Sequence, residues 1–391
     1  MRKAFWGSIL MLLFLLPQAS FAASAKLSYG AWIPFWKKTA GVQEITDHLL
    51  QFQQISPFSY EVKANGDPVD KLKIDEGFWP MWLLAIRDLK IKIIPSIAWF
   101  DDNGLHALLS NTKLRRAHAD KIVKLTVDKK FDGIDIDYEN KLTETGPYFS
   151  LFLQGLSDKL HAKKKILTCT IEPRMPPADK FKTVPKDLGY ANDYKVINKY
   201  CDQVRIMAYD QGTIDLKLNA QKGQVNFYAP VADPEWVAKV IKETAKTISR
   251  KKIVLGIPTY GYEFEVSRIG DSLVYKRFRS HTYSQAIERA TALGLTPYRN
   301  NAGEMSFVYA TSTTAEVSKS LTFKVDLNST STITTTTNTS STPVISQRFI
   351  SYTDAQAIKD KIDLAKKEGL AGVILFKLDG ETDPALWDKI K

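Results

Sequence analysis

Short apolar runs bounded by turn residues recur along this chain: Leu27 to Phe35, Gln54 to Tyr60, Ile91 to Trp99, Phe131 to Tyr138, Lys165 to Ile171, Gln203 to Tyr209, Lys252 to Tyr260 and Ala371 to Leu378. Each has strand length, and helical periodicity fills several gaps, at Trp79 to Lys90, Leu114 to Lys129, Tyr148 to Leu160, Trp236 to Ser249 and Asp354 to Lys367. Strands alternating with helices predict a parallel sheet covered by helices. Eight such units over this length predict a (β/α)8 TIM barrel rather than an open doubly wound sheet. No Gly-rich phosphate loop follows the first run, which counts against a nucleotide-binding fold.

One gap breaks the rhythm. About 110 residues separate Tyr260 from Ala371, where a loop and one helix need roughly 35. Within it, Thr282-Tyr283-Ser284-Gln285 is a capping box that opens a helix ending at Gly294. Strand-like runs follow at Glu304 to Ala310 and Leu321 to Val325, then a Ser/Thr-rich tract from Asn328 to Pro343 with little to bury. A second capping box is read at Thr353-Asp354-Ala355-Gln356, and Gly369 closes the last long helix. Residues 264–345 are therefore expected to form a small α+β insertion between strand 7 and strand 8, carrying an exposed loop. The barrel takes 23–263 and 346–391.

The N-terminus changes the picture of where the chain goes. Arg2 and Lys3, an apolar run from Ala4 to Pro17 and the small residues around Ala22 have the order of a secretory signal, residues 1–22, cleaved after Ala22. The mature protein is expected to be secreted, extracellular or periplasmic, with no membrane insertion after cleavage, and a monomer. The formal net charge of +11 stays near +9 without Arg2 and Lys3. Its lysines are scattered, with no basic block interleaved with aromatics, so nucleic acid is not an expected partner; an anionic wall polymer is a weaker option. Only Cys169 and Cys201 are present. Read as late in one strand and first in the next, they fall at opposite ends of parallel neighbours, which argues against a bridge. Five histidines without tight ligand spacing predict no metal, and no cofactor is expected.

Candidate chemistry concentrates in the fourth run, Asp132-Gly133-Ile134-Asp135-Ile136-Asp137-Tyr138-Glu139. As a strand it puts Gly133, Asp135, Asp137 and Glu139 on one face and Ile134, Ile136 and Tyr138 on the other. Successive carboxylates then lie roughly 6.6 Å apart, from a rise of ~3.3 Å per residue. Lining up like charges is costly and marks a use. An edge strand with a solvated acidic side is the bland alternative, but such a strand would not carry isoleucines between its acids. In a barrel of this kind the chemistry sits at the carboxyl ends of the strands. Those ends carry Trp32, Phe35 and Trp36; Tyr60 and Glu61; Trp99; Glu172; Met207, Tyr209 and Asp210; Tyr260; and Phe376. Any one of these aromatics is more often core or wall than a ligand platform. As a set beside carboxylates they suit sugar rings. Crowded carboxylates raise the pKa of at least one member, so Glu139, nearest the open end, can stay protonated as a donor. Asp135 lies deeper and tunes Asp137.

Asp132-Gly133-x-Asp135-x-Asp137-x-Glu139 resembles the signature of the family 18 glycoside hydrolases, the chitinase-like (β/α)8 enzymes, and Met207-Ala208-Tyr209-Asp210 resembles that family's strand-six motif. The insertion after strand 7 is similar to one in many members, and Ile55 to Val62 resembles the branch with spore-cortex and cell-wall N-acetylglucosaminidases. The resemblance covers essentially the whole mature chain. It implies a secreted hydrolase of β-1,4-linked N-acetylglucosamine polymers (chitin, chitooligosaccharide or peptidoglycan) that works by substrate-assisted retaining catalysis, an exception to the two-carboxylate scheme. It also implies catalytic roles for Glu139, Asp137, Asp135 and Tyr209, with Met207 and Asp210 in the same subsite. Phe376, Trp99, Tyr60, Glu61 and Tyr260 complete the expected substrate-binding set.

Two departures from the family pattern stand out. Phe376 occupies the strand-eight place where a tryptophan is usual, and Pro95-Ser96-Ile97-Ala98-Trp99 replaces a Ser-x-Gly-Gly third strand. Neither removes a catalytic group. The rival class is a chitinase-like lectin that binds the carbohydrate without cutting it, but lectins and inhibitors on this fold lack the acid that Glu139 supplies.

Overall fold

The eight apolar runs become the eight strands of a closed parallel barrel in a computed structural model that describes residues 26–390, apart from 225, 271 and 314–343. The barrel strands are β1 (Ser28–Pro34), β2 (Gln54–Val62), β3 (Ser96–Trp99), β4 (Gly133–Tyr138), β5 (Ile166–Ile171), β6 (Gln203–Ile206) and β7 (Ile253–Pro258). Four strands of a second sheet follow, β8 (Tyr260–Ile269), β9 (Ser272–Thr282), β10 (Met305–Thr313) and β11 (Val344–Tyr352), before β12 (Gly372–Phe376) completes the barrel. The order β1-β12-β7-β6-β5-β4-β3-β2 closes through parallel pairing of β1 with β2. The expected signal segment, the Leu321–Val325 run and the Ser/Thr-rich tract lie outside the described residues.

Period-2 alternation decides the layers. On β4, Ile134, Ile136 and Tyr138 face the helices, among them α1 (Lys38–Thr46), α2 (Trp79–Asp88), α3 (Asp102–Ser110), α4 (Thr112–Asp128) and α5 (Gly146–His161). Tyr138 donates to or accepts from His118 Nε2 at 2.5 Å and stacks on Phe152. The inward positions are fewer and mixed. Trp32, Phe58, Ala98, Val254 and Ile374 form a small apolar cluster inside the barrel, next to buried Ser96, Asp135, Thr168, Thr170 and Arg205. The large apolar core is the shell between barrel and helices, as burial economics demand of a sheet covered on its outer face.

The second sheet is antiparallel, in the order β9-β8-β11-β10 with a short Tyr298–Arg299 strand at its edge. The Thr282–Gln285 capping box is formed, with both reciprocal bonds, and opens helix Tyr283–Ala292. Helix Ala355–Lys367 differs from expectation. Its cap is Asp354, whose carboxylate accepts from Ala357 N–H, not Thr353. Asp and Thr are both good caps; here the extended backbone at Asp354 puts the helix start one residue later.

The cysteines also differ. Cys169 and Cys201 form a disulfide with Cα atoms 6.0 Å apart. Cys201 is not the first residue of a strand. It closes α6 (Tyr194–Tyr200), its N–H bonded to Ile197 O, and β6 begins only at Gln203. The helix end therefore sits over the outer face of β5, where Cys169 points, rather than in line with the sheet. Among the described residues no helix is long and apolar enough to cross a membrane, and no His/Cys/Asp/Glu group could hold a metal ion.

Candidate active site

At the carboxyl ends of the strands the barrel opens into a cleft of about 380 Å³. Its lining includes Trp32, Phe35 and Trp36 from β1 and the turn after it, Phe58 and Glu61 from β2, and Ala98 and Phe100 at β3. Asp137, Glu139, Glu172, Pro173, Met207, Tyr209, Asp210 and Phe376 complete it. Carboxylates and aromatic rings dominate the lining, and Ala98, Pro173 and Met207 are its remaining members.

β4 supplies the centre. Asp135 is fully buried and saturated: Ser96 Oγ donates at 2.6 Å, Thr170 Oγ1 lies 2.9 and 3.0 Å from its two oxygens, and Arg205 Nη1 stands 3.1 Å away. Each partner comes from an inward position of β3, β5 or β6, so the barrel's register builds the network. Trp32 Nε1 donates to Ser96 Oγ at 2.9 Å, tying β1 into it. A buried carboxylate held by a cation and two hydroxyls satisfies the requirement for keeping charge inside.

Asp137 is buried one step higher, and its Oδ1 has no hydrogen-bond partner among the described residues. Burial, then the charges of Glu139, Asp135 and Glu172, push its carboxyl well above the usual carboxylate range, while Lys141 acts the other way. Glu139 lies just past the strand, with its N–H on Trp99 O at 2.9 Å. Burial and then Glu172 raise its carboxyl to about 7, Lys141 opposes and Asp210 adds to the rise. A carboxyl with that value keeps its proton near neutral pH, as a general acid must.

Across the cleft, Tyr209 stacks on Phe376 with ring centroids 5.2 Å apart and planes within 8°. Gly256 of β7 makes this possible, since a Cβ there would lie 3.0 Å from Tyr209 Cε1. Asp210 has a left-handed backbone, φ 60°. Tyr260 and Tyr262 donate to its Oδ1 at 2.5 and 2.9 Å, and Arg277 from β9 stands 3.8 Å from Oδ2. The second sheet thus buttresses the strand-six motif.

Of the residues expected from the sequence, Glu139, Asp137, Tyr209, Met207, Asp210, Phe376 and Glu61 line the cleft. Asp135 lies beneath them, and Tyr260 reaches the site through Asp210. Tyr60 and Trp99 do not belong to it. Tyr60 is 3% exposed and packs on Phe131 in the outer shell; Trp99 is 2% exposed and packs on His118 and Tyr138. A register irregularity between Phe58 and Tyr60 turns Tyr60 outward and brings Glu61 in. On β3, parity with Ser96 and Ala98 points to Phe100, which lines the cleft, rather than Trp99. Arg205, Lys141, Phe58 and Phe100 went unread. Parity along β3 and β6 is the signal that could have found Phe100 and Arg205.

The family model for glycosyl hydrolases family 18 matches residues 30–381. The uncharacterized glycosylase YvbX of Bacillus subtilis (strain 168) is 24% identical over 294 residues, 75% of this chain and 70% of that protein. Chitinase A1 of Niallia circulans is 23% identical over 339 residues, 77% of this chain but only 42% of that longer protein. Among solved structures, the spore cortex-lytic enzyme SleL of Bacillus megaterium QM B1551 superposes with a TM-score of 0.67 at 19% identity, covering 93% of this chain and 73% of that one.

Proposed function

The chain belongs to glycosyl hydrolases family 18 and is a glycoside hydrolase; from that premise we propose that it is an exported enzyme cutting β-1,4-linked N-acetylglucosamine polymers, chitin or peptidoglycan, by substrate-assisted catalysis with retention. The observation that carries the reading is the convergence of Asp137, Glu139, Tyr209 and Asp210 on one aromatic-walled cleft. The apolar ring faces of a sugar pack on such walls while its hydroxyls and acetamide take the polar partners.

Glu139 gives its proton to the glycosidic oxygen as the bond to the anomeric carbon breaks. The carbonyl oxygen of the substrate's own 2-acetamido group attacks that carbon, forming an oxazolinium ion. Asp137, whose Oδ1 has no hydrogen-bond partner among the described residues, accepts through that oxygen from the acetamide N–H, a hydrogen bond that strengthens as positive charge develops there. The Tyr209 hydroxyl donates to the acetamide carbonyl and steadies its approach. Glu139, now a carboxylate, takes a proton from the water that opens the ring, and the proton count closes. Asp135, with its negative charge matched by Arg205 at 3.1 Å, holds the electrostatic floor under Asp137. Export is supported by the N-terminal segment and by the Cys169–Cys201 disulfide, a bond that persists in oxidising compartments.

Turnover of chitooligosaccharide, chitin and peptidoglycan, with products identified by mass spectrometry, tests the reading. Glu139→Gln is expected to abolish release while retaining substrate binding. Full activity in that variant overturns the assignment, and binding without turnover by the unaltered protein would make it a lectin.

A further inference from the structure

The turn that carries Glu139 is held by two residues with no part in the chemistry above. β4 ends at Tyr138, and Asn140 takes a left-handed conformation, φ 54°, which asparagine tolerates better than most side chains. Asn140 N–H donates to Glu172 Oε1 at 3.2 Å. Lys141 folds back under the turn: its ammonium donates to Tyr138 O, stands 3.5 Å from Glu172 Oε1, and lies 5.0 Å from the centre of the Phe149 ring. The Lys141 side chain is only 2% exposed. Burying an ammonium costs several kcal/mol unless it is paired, so a lysine at this position calls for a reason. Glu172 is fixed from its other side by Asn192 Nδ2, at 2.7 Å. Asn192 O accepts from Arg174, whose guanidinium lies between the Tyr190 and Tyr194 rings at 3.9 and 3.7 Å. One chain of contacts thus runs from the catalytic turn into the loop after β5.

We propose that Lys141 and Glu172 are positioning residues for this hydrolase: together they clamp the Tyr138–Asn140 turn so that Glu139 faces the cleft, and they set the charge that Glu139 faces there. The inference rests on Glu139 being the proton donor. Around Glu139 stand Asp137 on the strand that leads into it, Glu172 just after β5, Asp210 and Tyr209 after β6, Glu61 from β2, and Lys141 on its own turn. Arg205 lies deeper, matched to Asp135, and Arg277 stands beside Asp210. Lys141 is the cation among these that touches the catalytic turn itself. Its charge favours ionised Glu139, whereas Glu172 favours the protonated form. The two therefore pull in opposite directions, which a purely structural brace would not do.

The pH dependence of kcat/KM on a chitooligosaccharide separates the two roles. Glu172→Gln is expected to move the basic limb to lower pH and Lys141→Met to move it to higher pH, each by about one pH unit, with kcat falling at least about tenfold in Lys141→Met. Lys141→Arg keeps the charge and should hold the limb near its original place. Should a variant be too weak to assay, carboxyl ¹³C NMR of glutamate-labelled protein reads the same shifts, with the Glu139 resonance assigned as the one missing in Glu139→Gln. Limbs that stay in place, or that move in the same direction in both variants, overturn the inference. Those results with an inactive Glu139→Gln defeat the clamp alone, whereas an active Glu139→Gln defeats the reading beneath it.

Discussion

Glu139 stands one residue past the end of β4 with its carboxyl raised to about 7 by burial and by Glu172. Two consequences follow from that one number. The basic limb of kcat/KM should fall near pH 7, because the donor is lost as its proton leaves. Stability should move the same way. The unfolded glutamate loses its proton near 4.5 while the folded one holds it to about 7, so the folded state binds more protons between those values and stability declines as pH rises through that window. Above about pH 7 the loss is complete; below about 4.5 it vanishes. Glu139→Gln removes the group that causes it. The variant should be more stable than its parent by on the order of 1–2 kcal/mol at pH 8, after allowing for solvent screening, with the gain shrinking as pH falls from 7 to 4.5. Urea midpoints at pH 8 and pH 4.5 check this, and an equal difference at both would contradict it. Such a variant would exchange activity for stability, as expected where a site holds strained charge.

At the scale of elements, the site depends on which residues a strand points inward, and here the sequence was legible in some strands and not in others. β4 could be read because its two faces differ chemically: isoleucine and tyrosine outward, acids inward. β2 could not, because the irregularity after Phe58 reverses parity within a run that is buried on both faces, so Tyr60 was expected in the cleft that Glu61 and Phe58 occupy. Trp99 was misplaced for a different reason: it was read only as a residue at a strand end, whereas the alternation of Ser96 and Ala98 points past it to Phe100. Lys141 was invisible as a site residue, because only folding carries its ammonium back under the strand end. The β8–β9 hairpin from Tyr260 to Thr282 was also unread, although Tyr260, Tyr262, Phe264 and Val266 alternate with Gly261, Glu263, Glu265 and Ser267 at the strand period; only β9 is charged and mostly exposed. Gly256 shows how a strand with no reactive group still shapes the chemistry. A Cβ there would lie 2.6 Å from Ile206 O on β6 and 3.0 Å from the Tyr209 ring. Gly256→Ala should therefore push β6 and β7 apart and tilt Tyr209 off Phe376. We expect kcat/KM to fall about 10- to 100-fold, together with a stability loss of about 1–3 kcal/mol from overpacking. Steady-state kinetics beside thermal unfolding decide it. Unchanged kinetics would mean that the Tyr209 position is not fixed by this contact.

Across the whole molecule, the disulfide is the one covalent tie between separate elements, and its place says what it can do. Cys169 is on the outer face of β5 and Cys201 at the end of α6, both essentially without solvent exposure. The bond spans 32 positions of chain, including the loop that carries Arg174 and Asn192, whose contacts lead back to Glu172 and the turn that carries Glu139. A crosslink restrains the unfolded chain most of all, so its main effect should be on how much of the protein is folded rather than on the chemistry of the folded state. The paired substitution Cys169→Ala with Cys201→Ala is expected to cost about 2–4 kcal/mol of stability, while turnover of the folded enzyme stays close to that of its parent. Because the sulfurs are buried, dithiothreitol should act on the native protein slowly and only after partial opening. Urea unfolding of parent and variant, each with and without the reductant, separates these effects. The reductant should bring the parent toward the variant and leave the variant unchanged. If the variant instead loses turnover while keeping its stability, the bond serves the β5–α6 loop and the catalytic turn directly, and the entropic account is wrong.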